Sequence, residues 1–446
     1  MFLLRPLYSF ILSLFRICVV VSAVCWAMLK YLGRRLVSGR LSRSERNALR
    51  GQVFTDLLQS LGATYVKFGQ ILSTRPDLFG EEYTKALARL QDQVEPLPYR
   101  VIDRVLRAEL SEEARAAIER IDEEPLAAAS VAQVHRGTLR DGTEVALKVQ
   151  RPKARNQVER DLSLMAGGAR VLNWIPSLRL LSLPGSVARF AKAMRDQLDF
   201  ELEAENNRRF AANFVNTDGV RVPTLYPEQS TSRVLCMEFV DGVRATNVED
   251  VGGDRQKVAR RGLHAILQMV FDDGFVHADL HPGNIVITNE GEVVLIDLGL
   301  VAEIDDDFRG PWIQTFVALT QQDGALAARL FYSYAPTVGP NIDYALFESQ
   351  VQERFDELRG KPLHEMEASK VLMGMMNVLR EHRIQIDPVF TVVNLAMLVA
   401  EGLGKQLDPE LDLVQLAAPY LMKALANAPP ALTPRREAPK SPGSSG

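Results

Sequence analysis

Residues 275–301 read FVHADLHPGNIVITNEGEVVLIDLGLV, in which two short apolar runs flank an Asn-Glu-Gly-Glu turn. The runs are Ile285–Ile287 and Val293–Ile296, and their arrangement around an Asn/Gly-containing turn predicts a β-hairpin. Such a hairpin places Asn284 at its entrance and Asp297 at its exit, so that both side chains could reach one metal ion. Hard oxygen ligands of this kind suit Mg²⁺ that carries substrate phosphates.

Asp279 precedes this hairpin, at a position from which a carboxylate could take the proton of a hydroxyl group. Each of these aspartates taken singly is more often a cap or turn residue. Taken together with Asn284, they predict a phosphoryl-transfer site with Asp279 as base and with Asn284 and Asp297 as metal ligands.

The composition sets limits on the rest of the chain. Its 446 residues are enough for two or three packed units, and 47% hydrophobic with 24% charged residues is typical of a globular protein. A net charge of −4 gives no overall basic surface, so nucleic acid is not predicted as a partner. Cys18, Cys25 and Cys236 show neither metal-ligand spacing nor a disulfide framework, and we expect buried thiols in a reducing compartment.

Residues 7–29 form an apolar run interrupted by one charge, Arg16. A helix of this length could cross the ~30 Å core of a bilayer. Basic residues follow the run, which predicts that the rest of the chain is cytoplasmic. A cleaved signal peptide is one alternative, and a helix lying in the interface is another because Arg16 would be costly in mid-span. We therefore expect residues 1–44 to be a single N-terminal anchor, spanning or interfacial, that holds the protein on the cytoplasmic face of the membrane.

Residues 45–120 carry amphipathic helical patterns and few strand signals, which predicts a helical extension. It contains the motif Lys67-Phe68-Gly69-Gln70, followed by Pro76-Asp77. Taken alone, a helix with a lysine and an interior glycine is usually only a packed helix.

Strand patterns begin near residue 121, and residues 121–241 are predicted to form a small β-rich lobe. Asp141-Gly142 predicts a hairpin turn into Glu144–Gln150, where Val-Ala-Leu-Lys has the form of the kinase strand whose lysine, here Lys148, holds the α- and β-phosphates. A small-residue loop precedes this strand in the position of a phosphate-covering glycine-rich loop, but it contains alanines that restrict positive φ. The nucleotide contacts predicted in this region are Ala127, Ala128, Ala129, Ser130, Gln133, Val134 and Lys148.

Two further segments have alternative interpretations. The acidic segment 194–207 places Asp199, Glu203 and Asn206 on about one helix face. It is either a solvated helix surface or the helix whose glutamate, Glu203, pairs with Lys148. Residues 234–242 are either a core strand or a kinase-type hinge, in which the backbone of Glu238 and Val240 meets adenine.

The remaining chain is predicted to be a mostly helical lobe at 242–426 and a disordered tail at 427–446. No second apolar span comparable to residues 7–29 is evident.

In the combined motif set, Asp-Leu-Gly follows Asn284 by thirteen residues, and Val-Ala-Leu-Lys lies upstream in the order that kinases use. However, His277-Ala278-Asp279 replaces the usual His-Arg-Asp and no Ala-Pro-Glu follows, which disfavours an ordinary protein kinase.

These motifs resemble the ABC1/UbiB/ADCK (AarF-type) family of atypical kinase-like proteins over roughly residues 45–425. The resemblance rests on Lys67-Phe68-Gly69-Gln70, the alanine-rich loop with Gln133-Val134-His135, Glu203-Ala204-Glu205-Asn206, His277–Asn284 and Glu401–Pro409.

The resemblance implies an α+β, two-lobed protein-kinase-like fold with an added N-terminal helical extension and a mostly helical C-lobe. It also implies that Lys67 lies on a segment covering the active site, that ATP and Mg²⁺ are the cofactors, and that the protein supports ubiquinone or related isoprenoid-lipid biosynthesis. The expected partners are membrane lipids or a quinone precursor, together with quinone-biosynthesis enzymes.

One departure from the family pattern is Gln197-Leu198-Asp199, where the family has Glu-x-Asp. A neutral Gln197 can hydrogen-bond Lys67 but cannot pair its charge. Two other functions remain open at this point: an aminoglycoside/choline-type small-molecule phosphotransferase, which shares the His-x-Asp-Leu-His-Pro-Gly-Asn motif, and a non-catalytic nucleotide-binding scaffold.

Overall fold

A computed structural model describes residues 4–38, 41–75, 79–90, 94–175, 182–357, 368–411, 413–426 and 434–439. The chain divides into two compact units. The first unit contains Met1–Asp199 and Pro227–Cys236, and the second contains Phe200–Tyr226 and Met237–Gly446. The predicted extension at 45–120 and the predicted strands that follow it therefore belong to one unit, whereas the helix carrying Glu203 belongs to the other.

The first unit begins with helices that pack around small apolar clusters. A capping box starts the second helix: the Ser42 hydroxyl accepts a hydrogen bond from the Glu45 N–H, and the Glu45 carboxylate accepts one from the Ser42 N–H. Leu58, Leu61 and Leu87 lie in the cluster that these helices share. The helices are α1 (Leu4–Val37), α2 (Arg43–Leu61), α3 (Ala63–Ser73), α4 (Glu81–Leu87), α5 (Tyr99–Glu109) and α6 (Glu112–Ala116).

A four-stranded sheet follows, in the order β1-β2-β3-β5. The predicted Asp141-Gly142 turn is present: Gly142 has φ +87°, and the Asp141 carboxylate accepts from the Thr143 N–H at 2.9 Å. The strands are β1 (Ile118–Ala128), β2 (Ala132–Leu139), β3 (Glu144–Gln150) and β5 (Val234–Glu238), and helices α7 (Ala154–Leu172) and α8 (Leu183–Asp196) complete the unit.

The second unit is mostly helical and encloses one large apolar core. The predicted hairpin is present, with Ile285 opposite Leu295 and Ile287 opposite Val293. It forms the centre of a sheet in the order β4-β9-β8-β6. The strands of that sheet are β4 (Val220–Arg221), β6 (Val243–Arg244), β8 (Ile285–Ile287) and β9 (Val293–Leu295). Two separate strand pairs are formed by β7 (Phe275–His277) with β10 (Val301–Glu303), and by β11 (Thr337–Val338) with β12 (Ile384–Gln385).

The helices of this unit are α9 (Phe200–Asn213), α10 (Arg255–Leu267), α11 (Asp306–Gln321), α12 (Gly324–Tyr334), α13 (Tyr344–Asp356), α14 (Ala368–Glu381), α15 (Pro388–Leu407) and α16 (Leu413–Ala426). Because α9 begins at Phe200, Asp199 precedes the helix, and the prediction that Asp199 shares a helix face with Glu203 and Asn206 is wrong.

Within the described part of the chain, two helices are long and apolar enough to cross a membrane, judged by length and composition alone: Ile11–Val37 within α1, and α15. The second helix is less apolar than the first and partly buried, so it is not comparable to the span at residues 7–29. It has a buried side, where Val393, Ala396 and Ala400 belong to the core of the second unit. A core helix of a globular unit is therefore sufficient to explain the apolar composition of α15.

The cysteines do not all have the expected burial. Cys236 is buried in β5, and burial raises the pKa of its thiol to about 12. Cys18 and Cys25 are exposed on α1, so the expectation of buried thiols is wrong for these two.

The predicted tail, 427–446, lies outside the described residues except for 434–439. Within that short segment, Arg436 donates to the carbonyl oxygens of Tyr332 and Ala335 at 2.9 and 2.8 Å, at the C-terminal end of α12. Pro76 and Asp77, which follow the Lys67 motif, also lie outside the described residues.

Candidate active site

The β8–β9 hairpin brings Asn284 and Asp297 together. The Ile296 N–H donates to the Asn284 carbonyl oxygen at 2.9 Å, just beyond the last strand pair. Asp297 has φ +59°, in the left-handed region that few residues other than glycine adopt. A strained backbone at the residue predicted to hold a metal is typical of functional sites.

Asn284 is also tied to the segment that carries Asp279. Its Nδ2 donates to the Asp279 carbonyl oxygen at 3.1 Å, and the side chain is buried. With the amide nitrogen used in this way, the amide oxygen is the atom of Asn284 that suits a cation. The three predicted residues are therefore linked through Asn284.

His277 is a site residue that the sequence did not single out. Its Nδ1 accepts from the Asp279 N–H at 3.1 Å, and its Nε2 lies 3.3 Å from the Ile296 carbonyl oxygen. This pattern assigns a neutral ring with the proton on Nε2, and burial of the ring lowers the pKa of His277. The imidazole thus joins the Asp279 loop to the strand that leads to Asp297.

Helix α9 supplies a second carboxylate to the same region of the second unit. Glu203 is buried, and its Oε2 lies 3.4 Å from the position that a Cβ on Gly299 would occupy. The Asp297 Oδ1 lies 3.8 Å from the same point. One turn further along α9, Asn206 Nδ2 donates to the Leu298 carbonyl oxygen at 2.9 Å. Glu203 and Asn206 therefore both face the Asp-Leu-Gly segment.

The donor set fits a cation completed by phosphate oxygens. Among the residues that the structure describes, no group of three or more His, Cys, Asp or Glu side chains could hold a metal ion. Mg²⁺ in nucleotide sites commonly takes one or two carboxylate or amide oxygens from the protein and the rest from phosphates and water. Asn284 and Asp297 provide such a pair of oxygens.

In the first unit, Lys148 lies in the middle of β3 opposite Val134 and is only 8% exposed. The alanine-rich segment is the β1–β2 turn: Ala127 pairs with Val134, Ala128 pairs with Gln133, and the Ala129 N–H donates to the Ala132 carbonyl oxygen at 2.9 Å. The segment next to Lys148 is thus a closed strand–turn–strand, and Ser130 lies in the turn.

The Gln133 side chain has a structural role within the first unit. Its Oε1 accepts from the Leu97 N–H at 2.8 Å, and its Nε2 lies 3.2 Å from the Leu97 carbonyl oxygen and 2.9 Å from His135 Nε2. Both amide hydrogens are thereby used, and the side chain is completely buried. Gln133 therefore holds the segment before α5 against the sheet, and a nucleotide contact at this residue, which stays a prediction, would use its backbone.

The Lys67 motif lies on α3, and three of its residues have packing roles within the first unit. Phe68 meets Phe190 of α8 edge-on, with ring centroids 4.9 Å apart. Gly69 faces Leu58 and Leu90, and Gln70 donates to the Leu90 carbonyl oxygen at 3.2 Å. Lys67 itself is 9% exposed. The position of this motif over the active site, and the role of Gln197 beside it, stay predictions.

The predicted hinge is partly engaged by its own unit. The Glu238 N–H donates to the Thr224 carbonyl oxygen at 2.8 Å, and the Glu238 carboxylate pairs with Arg221 at 3.0 Å. An adenine contact at Glu238 would therefore use the carbonyl oxygen, with Val240 supplying the other backbone group.

Because Lys148 and Glu203 belong to different units, their predicted ion pair stays a prediction.

Comparison with known proteins agrees with this arrangement. A profile described as the ABC1 atypical kinase-like domain matches residues 89–330, and one described as the UbiB helical domain matches residues 351–412. The chain therefore belongs to the ABC1 atypical kinase-like family.

Within that family, the curated relatives found are of UbiB type. A protein of Pasteurella multocida (strain Pm70), named "Probable protein kinase UbiB", is 34% identical over 390 residues, which cover 82% of this chain and 73% of the relative. A protein of the same name from Shewanella halifaxensis (strain HAW-EB4) is 31% identical over 395 residues, covering 86% and 72%.

Among solved structures, that of Rv3197 of Mycobacterium tuberculosis in complex with erythromycin is similar to this chain. It is 25% identical, with a TM-score of 0.53 over 82% of this chain and 94% of that one. The predicted fold class, kinase-like with a helical N-terminal extension and a mostly helical C-terminal part, is confirmed.

Proposed function

We propose that this protein is a membrane-associated, ATP- and Mg²⁺-dependent atypical kinase or ATPase of UbiB type that supports ubiquinone or related isoprenoid-lipid biosynthesis. The observation that carries the proposal is the linked set of Asp279, Asn284 and Asp297, held by one hairpin and by His277. The lipid pathway is supported by the UbiB name of the relatives, and the membrane association by the apolar helix α1.

Each residue has a separate task in this proposal. The Asn284 amide oxygen and the Asp297 carboxylate would hold Mg²⁺, which when bound neutralises charge on the phosphates. Asp279 orients the acceptor hydroxyl or water and takes its proton, and Lys148 meets the phosphates. Glu203, buried on α9, would orient Lys148, and Lys67 would close the site against a peptide. The Ala127–Ser130 turn and the backbone of Val134, Glu238 and Val240 would contact the nucleotide.

ATP hydrolysis by the purified full chain tests the enzymatic part. Removal of the base in Asp279→Asn is expected to reduce turnover by about 10²- to 10⁴-fold, while nucleotide binding persists. Asp250→Asn is the matched control because Asp250 is an exposed aspartate of the same unit, and its turnover should equal that of the wild type. Each protein is assayed with and without anionic liposomes.

Two other outcomes would redirect the proposal. If wild type and Asp279→Asn both bind nucleotide and neither shows turnover, the protein is a nucleotide-binding scaffold.

The pathway is tested separately by profiling the quinones and polar lipids of a deletion strain carrying either the wild-type or the Asp279→Asn gene. Unchanged quinones in the deletion strain would contradict the role in quinone synthesis.

A further inference from the structure

The apolar helix α1 is fastened to the first unit through its middle. Arg16 Nε lies 2.6 Å from Asp161 Oδ1, and Arg16 Nη2 lies 2.9 Å from Asp161 Oδ2 and 2.6 Å from the Leu61 carbonyl oxygen. Asp161, on α7, is completely buried. The Arg16 guanidinium, whose charge would be costly in the middle of a bilayer-spanning helix, therefore faces protein and is paired with Asp161.

The same face of α1 continues along the unit. Val20 and Ala23 pack against the cluster that contains Leu58 and Leu61. Further along α1, Lys30 Nζ lies 2.5 Å from Asp56 Oδ2. Positions 16, 20, 23 and 30 repeat at intervals of three, four and seven residues, which places them on one face of a helix. This inner face is thus occupied from Arg16 to Lys30.

A bilayer-spanning α1 would have to give up this inner face. Arg16 would enter the hydrocarbon without its partner, or α2 and α7 would have to enter with it. Separation would also break the charge-assisted hydrogen bonds between Arg16 and Asp161, a pair that is largely removed from water. The contacts of Arg16 therefore favour an α1 that stays on the unit.

The outer face of α1 is apolar and open. Phe15, Trp26 and Leu29 are 66%, 70% and 62% exposed, and Leu36 is 84% exposed. This face ends beside exposed basic residues at the end of α1 and the start of α2, namely Arg34, Arg35, Arg43 and Arg46. An apolar helix face with an aromatic side chain and adjacent basic residues suits the interface of an anionic phospholipid membrane.

We propose that α1 is an in-plane membrane ridge: its inner face stays locked to α2 and α7 through Arg16 and Asp161, and its outer face enters the headgroup region of an anionic phospholipid surface without crossing it. The occupant is a phospholipid surface rather than a second copy of the chain, because the arginines match anionic headgroups. The inference rests on the proposed membrane association and specifies its geometry.

Cross-linking tests the ridge directly. In a Cys18→Ser/Cys25→Ser background, Arg16→Cys with Asp161→Cys is joined by a short bismaleimide, which fixes the middle of α1 to α7. The protein is then mixed with phosphatidylglycerol-containing vesicles and floated. Lys30→Cys with Asp56→Cys is the matched control, because tethering the end of α1 is compatible with either geometry. We expect both cross-linked proteins to bind as well as their uncross-linked forms, whereas loss of binding only on linking positions 16 and 161 would show spanning.

Wild-type protein gives a second readout that does not depend on tolerance of the cysteine pair. An epitope placed before Met1 should be cleaved by protease added outside the vesicles, on the side where the rest of the chain is digested. Protection of that epitope would overturn the proposal of an in-plane membrane ridge.

Substitution of the outer face is a third test. Phe15→Ser/Trp26→Ser/Leu29→Ser should reduce vesicle binding at least about tenfold while vesicle-free ATP turnover is unchanged.

The two proposals fail in different ways. Absence of vesicle binding by the wild type would remove the ridge and the membrane association but would leave ATP turnover as measured. Loss of ATP turnover with intact vesicle binding would remove the enzymatic proposal alone.

Discussion

His277 shows how one neutral side chain arranges the candidate site. It accepts a hydrogen bond from the N–H of Asp279, the proposed base, and approaches the carbonyl oxygen of Ile296, which precedes the proposed metal ligand Asp297. Asp279 could be inferred from its motif, but His277 could not, because its partner Ile296 is 19 positions along the chain. The available signal was a histidine two residues before the candidate base Asp279.

Substitution of His277 by Leu leaves these two backbone groups without their partner. We expect the free energy of unfolding to fall by about 2–4 kcal/mol, since an unsatisfied buried polar group costs about 1–3 kcal/mol. His277→Gln, which can both accept and donate, should recover part of this loss. Urea denaturation of wild type, His277→Leu and His277→Gln measures these differences. Equal stabilities would contradict a structural role for the two His277 hydrogen bonds.

The positive φ of Asp297 predicts an unusual order of stability at that position. Asp297→Gly relieves the left-handed backbone, whereas Asp297→Ala keeps a Cβ in it. The alanine variant should be less stable than the glycine variant by about 1 kcal/mol. An alanine variant that is as stable as the glycine variant would show that the backbone relaxes.

His135 predicts a loss of stability in acid. The ring is completely buried next to Gln133, and desolvation lowers its pKa below the ordinary value. The unfolded chain then binds more protons than the folded one as the pH falls below about 6.5, so stability is full above that pH and declines below it, by at most about 1.4 kcal/mol per pH unit for one proton.

Unfolding free energies of wild type and His135→Gln between neutral and mildly acidic pH check this expectation. The wild-type curve should decline more steeply than that of the variant. Parallel curves would assign the acid sensitivity to other groups.

At the scale of single elements, local sequence patterns were sufficient to predict those elements whose contacting residues are near one another in sequence. The β8–β9 hairpin and the Asp141-Gly142 turn follow from short apolar runs and the turn residues between them. The start of α9 was misplaced because the acidic pattern of 194–207 runs through the break between α8 and α9. The packing role of Gln133 was not evident from the sequence because its partner, Leu97, lies 36 positions away.

Helix α3 offers a test of the packing role of Gly69. A Cβ at Gly69 would lie 2.3 Å from a Leu90 methyl carbon and 2.8 Å from one of Leu58, so the buried leucines would have to move. Gly69→Val should destabilise the protein by about 1–3 kcal/mol. Gly168→Val in α7 is the control, because nothing lies within 4 Å of its Cβ position, and it should change stability by less than about 0.5 kcal/mol. Equal effects in thermal or urea unfolding would show that Gly69 is not a packing residue.

At the scale of the whole molecule, the family and the kinase-like fold could be inferred from motif order, which the ABC1 and UbiB profile matches confirm. The role of α1 could not be inferred in the same way. Hydropathy identifies an apolar helix, but only a structure shows that Arg16 pairs with Asp161, 145 positions later. The sequence predicted two lobes but not the boundary at Asp199, because Asp199 and Phe200 are consecutive residues with no linker composition between them.

Calorimetric titration of ATP into the full chain measures whether Asp297 and Asn284 form an Mg²⁺-dependent ATP site. Wild type should bind ATP only weakly without Mg²⁺ and at least about tenfold more tightly with it, which corresponds to about 1.4 kcal/mol. Asp297→Asn, whose side chain also tolerates a positive φ, should fold normally and lose this Mg²⁺ dependence, while Asp250→Asn should keep it. Equal ATP affinity with and without Mg²⁺ in the wild type, or an undiminished Mg²⁺ effect in Asp297→Asn, would contradict the claim.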